Sequence, residues 1–162
     1  MVSGRILYSV LLILLSLWLG WTVLVDFVVV PGVFRNIQNF FEAGDLGIYL
    51  FQRLNYLEVV IASSVVAVLT FIFRRNRHAL PLLVSSLVVM AIALTYFTWL
   101  IPKITELTEL WKMSEAGKTI AITDIQQEHQ FFHRIYVIMD TVKLLTLLFM
   151  IVSAIGKEKW TA

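Results

Sequence analysis

The chain has no cysteine at any of its 162 positions, which excludes disulfides, thiolate metal sites and cysteine nucleophiles together. Charge is scarce as well. Asp, Glu, Lys and Arg make up 15% of the residues and apolar types 59%, against globular norms of roughly 25% and 45–50%. The net charge is only +2, and the basic residues form no aromatic-interleaved surface, so no nucleic-acid partner is expected. There is no nucleophile–base arrangement, phosphate loop or G-x-S-x-G stretch, which weighs against an enzyme. No lipidation motif is visible. The first apolar run has no A-x-A-like cleavage site and continues into Asp26 and Pro31, so it reads as a retained helix rather than a signal peptide.

What the chain does have is apolar residues in blocks. The runs Ile6–Val30, Leu46–Phe73, Ala79–Ile101 and Phe131–Ile155 are each long enough to cross a hydrocarbon core of about 30 Å. The expected fold is all-α: a four-helix transmembrane bundle in one domain over residues 1–162. Its spans are placed at about 6–30, 46–73, 79–101 and 126–155, with a short interfacial helix after the first. The lipid bilayer is the first expected partner.

Loop charge sets the orientation. The densest basic cluster, Arg74-Arg75-Asn76-Arg77-His78, joins the second and third runs, Arg5 precedes the first, and Lys157 and Lys159 follow the last. With an even number of spans all three segments share one side, the cytoplasm of a cell (inner) membrane, and both termini lie there. The two segments on the other face carry most of the acidic residues. In the first, Phe34, Ile37, Phe40 and Phe41 recur at helical spacing, which predicts an interfacial helix over Val33–Phe41. Gly44 would stop it and Asp45 would cap the second span. In the second, Pro102 is expected to kink rather than end the third helix, which continues from Lys103 to Met113 before a turn around Gly117.

The fourth run carries a polar stripe. His129, His133, Tyr136, Asp140 and Lys143 fall within about 80° of one another on a helix. A charge at mid-bilayer costs about 2.5–3.5 kcal/mol even on the generous insertion scale, so Asp140 and Lys143 need partners. At 1.5 Å per residue, Arg53 and Glu58 lie about 10 and 18 Å into the second run, Asp140 and Lys143 about 14 and 18 Å into the fourth. Glu58 therefore shares a level with Lys143, and Arg53 nearly shares one with Asp140. Asp26 and Arg134 lie close to the interface, where either can snorkel. Asn55, with Tyr49, Gln52 and Tyr56, extends the polar face of the second helix. Trp18, Trp21 and Trp99 read as packing or interface-belt residues. The serine pairs Ser63-Ser64 and Ser85-Ser86 read as back-bonded or as sites of close helix approach.

His129 and His133 have the i,i+4 spacing with which two imidazoles can share a metal ion, although no third ligand follows at a standard offset. Two histidines on one side of a helix cannot supply both axial ligands of one haem.

Three blocks together resemble a known family. They are FVVVPGVF (Phe27–Phe34), AGDLGIYLFQRLN (Ala43–Asn55) and FFHRIYVIMDTVKLL (Phe131–Leu145). Their order and spacing resemble domain-of-unknown-function family 4149, the group that includes proteins similar to transmembrane protein 205. In that family the last helix reads histidine, then serine three residues on and asparagine seven on. Here the corresponding positions hold His133, Tyr136 and Asp140, so the histidine carries over and its two polar partners do not. The resemblance implies a small integral membrane protein, linked in some members to metal-drug tolerance. A more distant likeness to copper-resistance-D membrane domains implies a haem or metal cofactor at His133 and His129.

Three functions follow as expectations. In the first, an outward-facing polar pocket lined by Asp140, Lys143, Glu58, Arg53, Tyr136, Asn55 and Asp26 binds or passes a small ion, proton or polar solute. Four short helices enclose little space, so this reading brings in a homo-oligomer or a larger membrane complex. In the second, the chain is an accessory or scaffold subunit whose ion pairs are structural. In the third, it is a haem- or metal-linked membrane protein.

Overall fold

The computed structural model describes residues 4–115 and 122–158, and these form four long helical rods. The first rod is α1 (Gly4–Leu24), a π turn over Val25–Val29, and α2 (Val30–Asn36). The second is α3 (Phe40–Arg75). A 3-10 turn, Arg77–Ala79, leads to the third rod: α4 (Leu80–Thr95), a π turn over Tyr96–Leu100, and α5 (Ile101–Glu115). The fourth is α6 (Ile122–Glu158). The expected turn at Gly117 and the terminal Lys159 lie outside the described residues.

All four rods are long and apolar enough to cross a membrane. Their outer surfaces agree: Phe27 is 65% exposed, Ile138 64% and Leu145 62%. Large apolar side chains displayed all round a bundle belong in lipid, not water. This is a multi-pass membrane protein.

Two breakers shape the rods without ending them. Pro31 and Pro102 each follow directly on the residue that closes a π turn, where Val30 N–H bonds to Val25 O and Ile101 N–H bonds to Tyr96 O. A proline cannot donate to the carbonyl four residues back, and its ring crowds that carbonyl. Widening the preceding turn moves the carbonyl away, so the helix continues. The third helix thus runs through Pro102 as expected.

The segment after the first span departs from the reading above. The helix expected over Val33–Phe41 is divided, because Ile37 is extended. Val33–Asn36 belongs to α2, the short helix that follows the first span, and Phe40 and Phe41 open α3. Asn39, not Asp45, is the cap, accepting from Phe41 N at 3.0 Å and Glu42 N at 3.5 Å. Its amide also reaches Glu42 (3.1 Å), a reciprocal arrangement like a capping box. Gly44 sits inside the helix rather than stopping it.

Packing is cyclic. α1 contacts α3 and α6, and α4 contacts the same two. α3 and α6 occupy opposite corners, with no Cα atoms within 8 Å of each other among the described residues. At the end of the bundle near the Arg74–His78 turn the core is mostly aliphatic, with Leu11, Leu15, Val65, Leu69, Leu82 and Leu147 fully buried. Ser63, Ser64 and Ser86 bond back to carbonyls of the preceding turn, which satisfies their hydroxyls inside apolar helices.

Candidate functional site

A charged cluster lies on the bundle axis. Lys143 is fully buried, and its Nζ lies 2.7 Å from Glu58 Oε1 and 2.6 Å from Asp140 Oδ1. The lysine therefore crosses the centre between two helices whose backbones do not meet. An ammonium on a four-carbon stem is one of the few groups with that reach. Glu58 Oε1 also accepts from Trp18 Nε1 (3.1 Å) and Thr22 Oγ1 (3.2 Å) on α1. Three donors thus converge on one oxygen, while Glu58 Oε2 is buried with no partner among the described residues. The ring of Tyr96, at the second π turn, lies 5.2 Å from Lys143 Nζ and adds a cation–π contact. Tyr96 stacks on Tyr136 with centroids 4.8 Å apart and donates its hydroxyl to Tyr136 O at 3.2 Å.

Asp26, in the first π turn, completes the cluster rather than snorkelling. Its carboxyl interacts electrostatically with Asp140, Lys143 and Glu58. Three carboxyl groups thus surround one ammonium. Fully ionised, they sum to three negative charges against one positive, a net −2.

Two expected members lie elsewhere. Arg53 is exposed, with its guanidinium 5.3 Å from the Tyr49 ring centroid. It forms no ion pair with Asp140, because its side of α3 faces outward rather than toward the axis. Asn55 is buried, and its amide has no partner among the described residues. Both line a separate recess of about 370 Å³, with Gln52, Tyr56, Phe97 and Pro102. Arg134 is exposed.

Trp18, Thr22 and Tyr96 escaped the sequence reading. Trp18 had been expected to pack, and it does so with an indole N–H committed to Glu58. A faint signal existed: Trp18 and Thr22 are spaced i,i+4, so α1 offers two donors on one face at the depth of an acid. Trp21 and Trp99 are about half exposed, as belt residues would be.

A larger cavity, about 470 Å³, opens at the end of the bundle opposite the Arg74–His78 turn. The pocket there was expected to be polar. Its wall is chiefly aromatic and apolar, with Phe34, Phe40, Phe41, Phe51 and Trp111 joined by His129, His133 and Tyr136. None of the cluster's carboxyls lines it. Tyr136 links the two, since it forms part of the cavity wall and interacts with Asp26 and Asp140. At the rim, Lys112 pairs with Asp45 and with Glu109 (2.9 Å), and Lys103 with Glu106 (3.3 Å) and Glu128 (3.6 Å). Lys112–Asp45 ties α5 to α3, and Lys103–Glu128 ties it to α6.

His129 packs edge-on against Trp111, centroids 5.7 Å apart, while His133 is exposed. Among the described residues no three His, Asp or Glu side chains are grouped to hold a metal ion. The two imidazoles fall one short of the three protein ligands that even an open metal site uses.

A family model described as Domain of unknown function (DUF4149) matches residues 13–111, more than half of the chain. The protein belongs to the DUF4149 family. The match takes in Trp18, Thr22, Asp26, Glu58 and Tyr96. It ends before α6, so the lysine, the aspartate and both histidines that this DUF4149 protein contributes from its last helix lie outside it. No curated protein and no solved structure matches the chain.

Proposed function

We propose that this DUF4149 protein binds and releases a proton at the Asp26–Asp140–Lys143–Glu58 cluster, reached from the cavity end of the bundle. The observation that supports it is the charge balance. A net −2 buried in low dielectric is very costly. Protons held among the carboxyls would offset that charge. Asp26 and Asp140 are adjacent carboxyls, and one proton between them makes a hydrogen bond where two bare charges would repel. Tyr136, with a buried hydroxyl that has no partner among the described residues, stands between this pair and the cavity. Movement across the whole membrane would require a second copy or a partner subunit, because four helices leave no continuous passage beside so full an aliphatic core. The basic segments at the Arg74–His78 end support a reading with that end in the cytoplasm of a cell membrane and the cavity facing out.

A scaffold role is the second reading. It is favoured by the convergence of Trp18, Thr22 and Lys143 on one Glu58 oxygen, which pins three helices together. Asp140→Asn separates the two, because asparagine keeps the shape and can still accept from Lys143. In the proton-binding reading the purified wild type shows an infrared band of protonated carboxyl that titrates with pH, and Asp140→Asn diminishes it with little change in melting temperature. In the scaffold reading no carboxyl titrates in the folded protein and Asp140→Asn melts markedly earlier.

A further inference from the structure

The cavity carries a different message from the cluster beneath it. Its wall is a chain of rings: Phe34 to Phe40 at 6.2 Å, Phe40 to Trp111 at 5.4 Å, Phe41 to Trp111 at 5.7 Å, Trp111 to His129 at 5.7 Å, and Phe51 to Tyr136 at 5.2 Å. These centroid spacings are those of offset and edge-to-face aromatic pairs. The other half of the bundle is packed mainly by Leu, Val, Ala and Met, so the aromatic wall is local to this end. A site for an acyl chain needs only aliphatic walls, which this bundle builds readily elsewhere. Aromatic faces set round a space of about 470 Å³, a size typical of small-molecule sites, suit a planar ring.

The polar groups on the wall narrow the class further. Among the described residues no Lys, Arg, Asp or Glu lines the cavity, and a charged occupant in this apolar space would have no counter-ion among them. The lining does offer His129, Gln130 and His133, while Tyr136 contributes to the wall with its hydroxyl buried on the side of the carboxyl cluster. A neutral imidazole and an amide each carry a donor, so the complement is a neutral ring bearing oxygen acceptors.

We infer that this cavity binds a neutral, lipid-soluble planar ring carrying carbonyl oxygens, the chemistry of a quinone headgroup. The ring lies among Phe51, Trp111 and Tyr136, and an oxygen accepts from His129. This goes beyond the proton-binding reading and does not depend on it.

The test uses the full chain in phospholipid nanodiscs and decylubiquinone as the probe, with quenching of tryptophan fluorescence as the signal. Binding appears as a saturable component above the linear quenching caused by partition into lipid. Gly44 lines the cavity, and a Cβ built there meets nothing within 4 Å. Gly44→Leu should therefore fill the space while favouring the helix, and abolish the saturable component. His129→Phe, which keeps a ring and removes the donor, should weaken it by roughly tenfold. If Gly44→Leu does not fold, His129→Phe carries the test alone. Quenching that stays linear in the wild type overturns the inference. So does a saturable component that both variants retain, or one that decane, a chain without ring or oxygen, displaces as well as unlabelled quinone does. Proton binding at the cluster is read by infrared titration, so either proposal can fail without the other.

Discussion

Lys143 spans the bundle axis to meet Glu58 while holding Asp140 one turn away on its own helix. A lysine in that position cannot be removed without leaving carboxylates uncompensated in low dielectric. Lys143→Met is expected to cost about 3–5 kcal/mol, seen as an earlier melt in detergent. Adding Glu58→Gln should recover part of the loss, because glutamine keeps an oxygen for Trp18 and Thr22 and removes a charge. Recovery stays partial while Asp140 remains. Strictly additive losses in the two single variants and the double would contradict the pairing. Trp18→Phe deletes the N–H donor together with part of an indole that is fully buried. Its cost should be that of a hydrogen bond to a charged group, about 1.5–3 kcal/mol, plus a cavity, and should be smaller in a Glu58→Gln background, where the acceptor is neutral. Equal losses in both backgrounds would mean that Trp18 acts by packing alone.

Among the elements, the two π turns matter most. Each holds one residue more than an α turn, and each directly precedes a proline's neighbour. They bring Asp26 and Tyr96 to the cluster and leave α2 and α5 to form the cavity rim. Deleting Thr98, which is exposed, together with Pro102→Ala should close the second π turn into an α turn and keep α5 in register. Deleting Val88, also exposed but within the regular part of α4, should rotate everything beyond it by about 100°. The first variant is expected to run as a single species on size exclusion, and the second to aggregate. Identical behaviour of the two would remove the π turn from this account. At the start of α3, Asn39→Ala should cost about 1 kcal/mol in the melt, the usual value of a lost cap.

The whole molecule has an inverted surface and a lengthwise charge asymmetry. Arg5, Arg74, Arg75 and Arg77 belong to one end, and Glu42, Asp45, Glu106, Glu109 and Glu128 to the other. The orientation proposed from this asymmetry has a direct check. Reporter fusions at Ala162 and within the 115–123 segment should report opposite sides of the membrane, with Ala162 cytoplasmic. Finding both on one side would contradict the alternation of four spans. A reversed pair would overturn the placing of the cavity on the outside while leaving the fold intact.

The sequence by itself determined that the chain belongs in lipid, with four runs able to cross it, because each run of twenty or more predominantly apolar residues is long enough to span the hydrocarbon core. It also put Glu58 and Lys143 at one level, since depth along a helix is a matter of counting. Depth does not fix which way a side chain faces across the bundle. Arg53 lay at almost the right level for Asp140 and faces outward, whereas Asp26, counted to the interface, turns inward at a π turn that no hydropathy pattern announces. Trp18 and Tyr96 became polar partners only when packing brought their N–H and ring face to the axis. The cavity was hidden for the same reason. Its wall is assembled from α2, α3, α5 and α6, and only their packing decided that these scattered rings and two histidines enclose a space.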